Sequence, residues 1–435
     1  MDYNIFHFKD LFEVKHGYPF KSNNFSDTKT KFHIMTPGNV KAGGGIKLDK
    51  IKYLEENIEF DKNYIFEPGD IFINLTDLSK KGDTLGFPAI VPNDLSKYYL
   101  HNQRLGRVIN IDEEKLDKNF LFYLLCTREY RHHILGSATG STVKHTSPKR
   151  ILEFEISLPN LKIQKYIGIV LNSIDKKIEN NQKIIANLEE LSQTLFNRWF
   201  VDFEFPDENG NPYKSSGGEM IDSELGKIPK EWTVKPLNEF IDIIDNRGKT
   251  PPLVNEMRAH PIIDVKALSG DTRVIDYKKC LKFVSKETYD TWFRSGHPKK
   301  GDTLLSTVGS IGETKMFYHD IGTIAQNVVS LRSENSYFTY DLINNVKSSF
   351  LTFNIGSVQP SIKITHINKI KVVYPSKIII ENYEKMIKKF ISNLYVRDLE
   401  NQNLIQLRDT LLPKLMSGEI EIPDDIEVNE DELSI

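Results

Sequence analysis

Several stretches of this chain invite comparison with a reactive site. Asp264-Val265-Lys266, shortly after Pro261, follows the carboxylate-x-lysine order that ends a metal-dependent nuclease site. Three residues are a weak pattern, and Glu13-Val14-Lys15 repeats it by chance in the same chain. His132 and His133 with His145 offer imidazoles, but adjacent histidines splay apart and no fourth donor is spaced to complete a metal shell. Gly43-Gly44-Gly45 is followed by Ile46-Lys47 rather than by the Gly-Lys-Ser/Thr of a phosphate loop. Pro251-Pro252 lies between Thr250 and Leu253, without the Asn or Asp before it and the aromatic after it that an amino-methyltransferase needs. Cys126 and Cys280 are the two cysteines, far apart and without partners at ligand spacing, which fits a reducing compartment and argues against zinc. The expectation is a chain with no catalytic residues and no metal site.

What remains is a recurring set of amide, hydroxyl and basic loop residues. Arginine and lysine match guanine O6 and N7 and also neutralise phosphates, and asparagine and glutamine match adenine in bidentate fashion. The candidates for DNA contact are Gln103, Arg104, Thr142, Lys144, Lys149 and Arg150 in the first half, and Arg247, Asn327, Gln359, Ser361 and Lys363 in the second. Asparagine and glutamine also cap turns, and serine and threonine also close them, so about half of this set is expected to touch DNA. Net charge is −3, which does not suit a protein that coats nucleic acid, but its distribution is uneven. Glu419 to Ile435 holds eight acidic residues and no Lys or Arg, so residues 1–418 carry +5 once those eight are set aside. Residues 128–150 hold Arg128, Arg131, Lys144, Lys149 and Arg150 against Glu129 alone.

The elements that position these loops come in duplicate. Pro68-Gly69-Asp70-Ile71-Phe72-Ile73-Asn74 matches Lys300-Gly301-Asp302-Thr303-Leu304-Leu305-Ser306, each a Gly-Asp turn feeding a strand-like apolar run. Before it, the glycine loop from Asn39 to Ile46 pairs with Ala267 to Val274. After it, Asn102-Gln103-Arg104-Leu105 stands opposite Ala325-Gln326-Asn327-Val328, and Thr142 to Thr146 opposite Ser361 to Thr365. The order is preserved, so a shared scaffold with varied surface is expected.

Each half ends in a long helical pattern entered through a proline, after Leu158-Pro159 and after Tyr374-Pro375. The first, from Ile167 through Leu171, Ile174, Ile178, Asn181 and Ile185 to Trp199, keeps a heptad spacing. The second runs through Tyr383, Ile387, Phe390, Leu394, Arg397 and Asn401 to Leu415. The stretch from Ile163 to Trp199 would be roughly 55 Å long, more than a small domain's width, so its partner is expected to be the other long helix. Asn181 and Asn401 fall within the seams, where a buried amide can fix coiled-coil register, with partial exposure as the alternative. Phe205 to Gly218 is dense in turn formers. The expected organisation is residues 1–160 and 231–375 as two recognition domains, 161–204 as a central spacer helix, 205–230 as a linker, 376–418 as a second spacer helix and 419–435 as an acidic tail. The tail is expected to be disordered or to meet a partner.

A composition of 39% hydrophobic and 27% charged residues is that of a folded globular chain, and no apolar run approaches a membrane span, so a cytoplasmic protein is expected. With these features in view, the chain resembles a specificity subunit of a type I restriction-modification system. Ile174-Asp175-Lys176-Lys177-Ile178-Glu179-Asn180-Asn181-Gln182 resembles that family's central helix, Leu195 to Phe203 its exit, and Leu411-Leu412-Pro413-Lys414-Leu415-Met416-Ser417-Gly418-Glu419-Ile420 its carboxyl-terminal helix end. The resemblance implies an α+β fold: two tandem mixed α/β target recognition domains, related by a pseudo-twofold repeat and separated by an antiparallel coiled coil of the two long helices. It implies double-stranded DNA as ligand, recognised at a bipartite asymmetric target, and a role in phage defence. It also implies two modification subunits and the restriction subunits as partners, with S-adenosylmethionine, ATP and Mg held by those partners and no cofactor here. Two other classes fit the residues, a stand-alone DNA-binding protein or anti-restriction decoy and a protein-binding scaffold.

Overall fold

The computed structural model describes residues 4–248, 250–255, 260–356, 360–423 and Ile426. The chain divides into two compact units, Met1–Ile178 with Gln402–Ile435, and Glu179–Asn401. Two long helices, Leu161–Phe196 and Lys377–Met416, contribute a segment to each.

In the first unit the strands are β1 (Asn4–His7), β2 (Glu13–His16), β3 (Phe32–Met35), β4 (Ile71–Asn74), β5 (Pro88–Ile90), β6 (Tyr98–His101), β7 (Leu105–Ile109) and β8 (Glu155–Leu158). Its helices are α1 (Lys118–Leu124), α2 (Arg128–Gly136), α3 (Pro148–Leu152) and the start of α4 (Leu161–Phe196). A four-stranded sheet runs in the order β2-β7-β4-β5, β3 lies parallel to β6, and β1 pairs with β8. The second unit has β9 (Thr233–Pro236), β10 (Asp242–Asp245), β11 (His260–Ile263), β12 (Thr303–Ser306), β13 (Thr314–Met316), β14 (Thr323–Ile324), β15 (Val328–Arg332) and β16 (Lys371–Tyr374). Its helices are α5 (Lys286–Trp292), α6 (Ser336–Asn345), α7 (Lys347–Thr352), α8 (Ile364–Asn368) and most of α9 (Lys377–Met416). Here the sheet order is β10-β15-β12-β13, β11 is parallel to β14, and β9 pairs with β16. These strands pair in the same order in both units, while further short strands differ, so the sheet around β3 and β6 has four strands and the one around β11 and β14 has three.

The apolar runs Ile71–Ile73 and Leu304–Leu305 are buried because each central strand is covered on both faces, which is why neither alternates. The preceding turns place Gly69 at φ +82° and Gly301 at φ +96°, a conformation side chains resist. Asp70 and Asp302 then close the turns by accepting from the Glu67 and Lys299 N–H groups (2.7 and 2.9 Å).

The long helices pack through their apolar faces. In the second unit Asn181 lies against Asn401 and Trp199 against Tyr383, so α4 and α9 run antiparallel. In the first half of α9 the buried positions are Ile380, Tyr383, Ile387, Ile391, Leu394 and Tyr395, whereas Phe390 is only partly buried. The seam drifts from the expected Phe390 because this half of the helix packs on its own sheet at a 3.6-residue period, not on a strict heptad. The segment read as a linker is folded: Phe205 stacks on Tyr213 and Trp232 (4.6 and 4.9 Å), and Met220–Ser223 pairs with Gly226–Pro229. The start of the acidic tail is docked too, with Ile422 buried among Leu415 and the core of the first unit. No described helix is long and apolar enough to cross a membrane.

Candidate nucleic-acid interface

One backbone position in each unit gathers the loops. The Leu75 N–H, just past β4, donates to the Arg104 carbonyl (3.0 Å), and the Leu75 carbonyl accepts from the Thr146 N–H (3.0 Å). At the same place past β12, the Thr307 N–H donates to the Asn327 carbonyl (2.9 Å) and its carbonyl accepts from the Ile362 N–H (2.9 Å). A third loop joins each set. The Gln103 N–H donates to the Tyr18 carbonyl (3.0 Å), and the Gln326 side chain donates to the Gly248 carbonyl (2.5 Å). Three loops therefore meet at one end of each sheet.

These bonds correct the fourth repeat marker. Thr146 is equivalent to Ile362, and α3 to α8, so the offset there is 216 residues and not the 219 that pairs Thr142 with Ser361. A Thr/Ser-x-Lys pattern recurs three residues out of register, and only the hydrogen bonding discriminates. The equivalence of Arg104 with Asn327 holds, because both turns close with the same bond, Leu105 N–H to the Asn102 carbonyl and Val328 N–H to the Ala325 carbonyl.

Gln103 and Arg104 are exposed at the tip of the β6–β7 turn, which Asn102 holds by accepting from the Arg104 N–H (3.1 Å). Thr142 is exposed, and Lys144 is half-buried in a short pairing with Asp77. Lys149 and Arg150 stand one segment further on, in α3, with Lys149 4.0 Å from Glu153 and the Arg150 carbonyl bound by His133 (2.7 Å). In the second unit Arg247 is exposed and braced by Asp245 (2.8 Å). Asn327 is half-buried, with a side-chain oxygen that has no partner among the described residues. Ser361 bridges to Val308, and Lys363 is exposed at the start of α8. Gln359 lies outside the described residues.

The basic run 128–150 divides on inspection. The Arg131 guanidinium donates to the Leu85 and Gly82 carbonyls and sits over the Phe87 ring (4.4 Å), a structural brace. Two lysines that sequence reasoning passed over, Lys80 and Lys81, are exposed on the loop just after Asp77. Burial would raise the Asp77 carboxyl, but hydrogen bonds from Thr84 and Ser79 hold it below the usual carboxylate range, and those bonds order the loop. The Asp-x-Ser spacing at 77–79 was the available signal. In the second unit Lys315 is buried, donates to the Gly270 (2.7 Å) and Thr272 carbonyls, and is pulled down by burial to about 8, so it fastens the glycine loop.

The other reactive-looking residues are accounted for. Asp264 caps a 3-10 turn by accepting from the Lys266 N–H (3.0 Å), and His145 meets the Thr76 hydroxyl (3.2 Å). No cluster of metal-ligating side chains occurs among the described residues. Asn181 is buried and donates to Asn401 (3.0 Å) and to Glu400 (2.9 Å), so the two seam asparagines do meet. The arrangement offers amides, hydroxyls and cations on a rigid frame, suited to hydrogen bonding at base edges and phosphates.

The family model described as "Type I restriction modification DNA specificity domain" matches residues 1–190 and 229–409. The chain is 25% identical over 352 residues to the type I restriction enzyme MjaIX specificity subunit of Methanocaldococcus jannaschii, covering 78% of this chain and 76% of that one. It is 26% identical over 405 residues to the HindI specificity subunit of Haemophilus influenzae, covering 78% and 87%. The crystal structure of the type I system S subunit from M. genitalium shares the fold, with a TM-score of 0.60 at 17% identity over 98% of this chain and 97% of that one. The chain belongs to the type I restriction-modification DNA specificity family and is a specificity subunit, with DNA recognition as its role.

Proposed function

We propose that this subunit reads a bipartite, asymmetric DNA target and directs adenine methylation, or cleavage, by partner subunits. The observation that carries the reading is the three-loop cluster built twice on one frame but furnished differently, with Arg104 where the other unit has Asn327. Equal frames with unequal side chains suit two unlike half-sites. Residues 1–160 and 231–375 then act as the two recognition domains, with 161–204 and 376–418 as spacers that set the number of unread base pairs between half-sites. Two modification subunits supply S-adenosylmethionine chemistry, and restriction subunits supply ATP- and Mg-dependent steps. This chain performs no reaction step, and it works in the cytoplasm, where the DNA is.

The test is methylome sequencing of a methylation-free host expressing the chain with its modification subunit, beside hosts expressing each alone. Adenine methylation at one gapped, asymmetric motif, only in the pair, is the expected result. A stable complex without methylation overturns the reading in favour of a scaffold or decoy. Tight DNA binding with no complex at all points to a lone DNA-binding protein.

A further inference from the structure

Each unit holds a cavity at the same place, where the first turn of a short helix meets the beginning of a long one. In the second unit it measures about 410 Å³ and is lined by Ser336 and Tyr337 of α6 and by Glu384, Lys385 and Lys388 of α9, with Lys300 closing it. In the first unit it measures about 430 Å³ and is lined by Lys118 and Asn119 of α1 and by Ile169 and Asn172 of α4. The 216-residue offset makes Ile169 and Asn172 the counterparts of Lys385 and Lys388. The cavity is therefore part of the repeated frame, and its charge is not.

Lys300, Lys385 and Lys388 are exposed, and none has a carboxylate partner among the described residues. Lys300 instead lies over the Tyr318 ring (4.2 Å), whose other face stacks on Tyr395 (3.6 Å), so both faces of that ring are taken. Glu384 is turned inward and accepts from the Phe338 N–H (2.7 Å), so it caps α6 and leaves three ammonium groups to face the opening. In the first unit Lys118, Lys165 and Lys176 stand beside Glu113 and Asp117, one net positive charge where the second groove, with Glu384 counted likewise, carries two. The cationic cavity adjoins Gly301, in the turn before β12, while the recognition loops gather past the strand's other end at Thr307, six residues and about 20 Å away. A duplex seated on those loops is held at the opposite end of the sheet. Ile378, 64% exposed, lies seven residues before Lys385, on the same face of α9 and about 10 Å further along it.

We propose that this groove docks an acidic segment of a protein partner, carboxylate side chains entering between Lys300, Lys385 and Lys388. This rests on the specificity-subunit reading, with the modification subunit as the partner to probe. The observations favour a protein over nucleic acid on two counts: the site is concave, and it lies away from the reading loops.

The experiment compares the full-length chain with its Lys385→Glu/Lys388→Glu variant, both positions being exposed and helical. The affinity for the purified modification subunit is measured at low and high salt, and DNA affinity is measured without that subunit. Expected is a loss of about tenfold or more in modification-subunit affinity at low salt, shrinking as salt screens the pair, with DNA affinity unchanged. Lys227→Glu, on the outer hairpin, controls for net charge and is expected to bind as the parent does. Unchanged modification-subunit affinity in the double variant overturns the inference, and so does a loss of DNA affinity, which assigns the groove to phosphate. A parent chain that forms no complex at all overturns the specificity reading and this inference with it, an outcome visible before any variant is examined.

Discussion

The two units meet their long helices through polar groups of different character. In the first, the Tyr123 hydroxyl donates to Asp175 (2.7 Å), which Arg408 also grips (2.7 Å), and both charged side chains are 29% exposed. In the second, Arg273 is 1% exposed and binds Glu189 (3.0 Å), Asp341 (3.3 Å) and Ser192 (2.8 Å), while Tyr383 also donates to Asp341 (2.8 Å). One frame thus tolerates a half-solvated chain of three groups and a dry network of five. The difference shows that the sheet and helices hold the architecture, while each junction has found its own way to satisfy the polar atoms it buries. The Gly-Asp turns vary in the same manner. Asp70 pairs with Arg107 of β7 (2.8 Å), whereas Asp302 takes Ser330 (2.8 Å) at the equivalent strand position and Arg332 (2.7 Å) two residues further along that face.

The largest effect should separate the two junctions. Arg273→Met leaves Asp341 and Glu189 facing a dry pocket without their cation and is expected to destabilise by about 3–5 kcal/mol. Arg408→Met, at a site where water can solvate Asp175, is expected to cost about 1 kcal/mol or less. Denaturant midpoints of the two variants check this, and equal shifts would break the contrast.

The recognition ends should separate next. Arg104→Ala and Asn327→Ala are each expected to lose about 1–3 kcal/mol of discrimination at one base position, the first in one half-site and the second in the other. Methylation of a library randomised across the target reads both. Relaxation of both half-sites by either variant would mean that the loops do not read independently.

Acidity should then act on the two units with opposite sign. His101 is fully buried, with Nε2 at the Leu105 carbonyl (2.9 Å), and burial lowers it to about 4 from an ordinary 6.5. The unfolded chain takes up a proton that the fold refuses, so this group's contribution is lost as pH falls from 6.5 towards 4. Glu384 is raised by burial to about 7 from an ordinary 4.5. The folded state holds the extra proton, so its contribution is full below 4.5 and lost as pH rises through 7. Either slope is at most about 1.4 kcal/mol per pH unit. Hydrogen exchange between pH 4.5 and 6.5 should show His101→Gln flattening the acid loss in β6 and β7, and Glu384→Gln flattening the acid gain in α6. Slopes that survive both substitutions would place the pH dependence on other groups.

Much of this frame could be read before any coordinates. A Gly-Asp turn feeding an apolar run, a proline before a long helical stripe and a glutamine in a turn are local patterns, and each keeps its place in both copies. The Arg273 network could not be read, because Glu189, Arg273 and Asp341 are 84 and 68 residues apart and only the tertiary fold joins them. The tail was legible in part. Phe203-Glu204-Phe205-Pro206 after α4 is repeated as Ile420-Glu421-Ile422-Pro423 after α9, and Phe205 and Ile422 are both 5% exposed. The eight acidic residues imply a tail that is disordered or meets a partner, whereas its first residues pack on the core. At the interface, residue type alone could not tell Arg131, which braces a loop, from Lys80 and Lys81, which are exposed on it.

The smallest expected difference concerns how the two short helices begin. α1 is capped from within, since Asp117 accepts from the Phe120 N–H (2.8 Å), and Gln164 of α4 supports the turn by accepting from the Asp117 N–H (3.1 Å). α6 has no side-chain bond from its own N-cap residue Asn335, and Glu384 reaches across from α9 to the Phe338 N–H. Asp117→Ala removes a local cap and should cost about 1 kcal/mol, confined to faster exchange at the first turn of α1. Glu384→Ala strips a cap that also ties two helices together, so its cost of about 1 kcal/mol should appear in both α6 and the neighbouring turn of α9. Glu384→Gln keeps the accepting oxygen and sheds the buried charge, so near neutral pH it should be at least as stable as the parent, and increasingly more so as pH rises through 7. If Glu384→Gln proved as damaging as Glu384→Ala, the carboxylate charge rather than the tether would be what starts α6, and the two helices would differ less in their capping than the geometry implies.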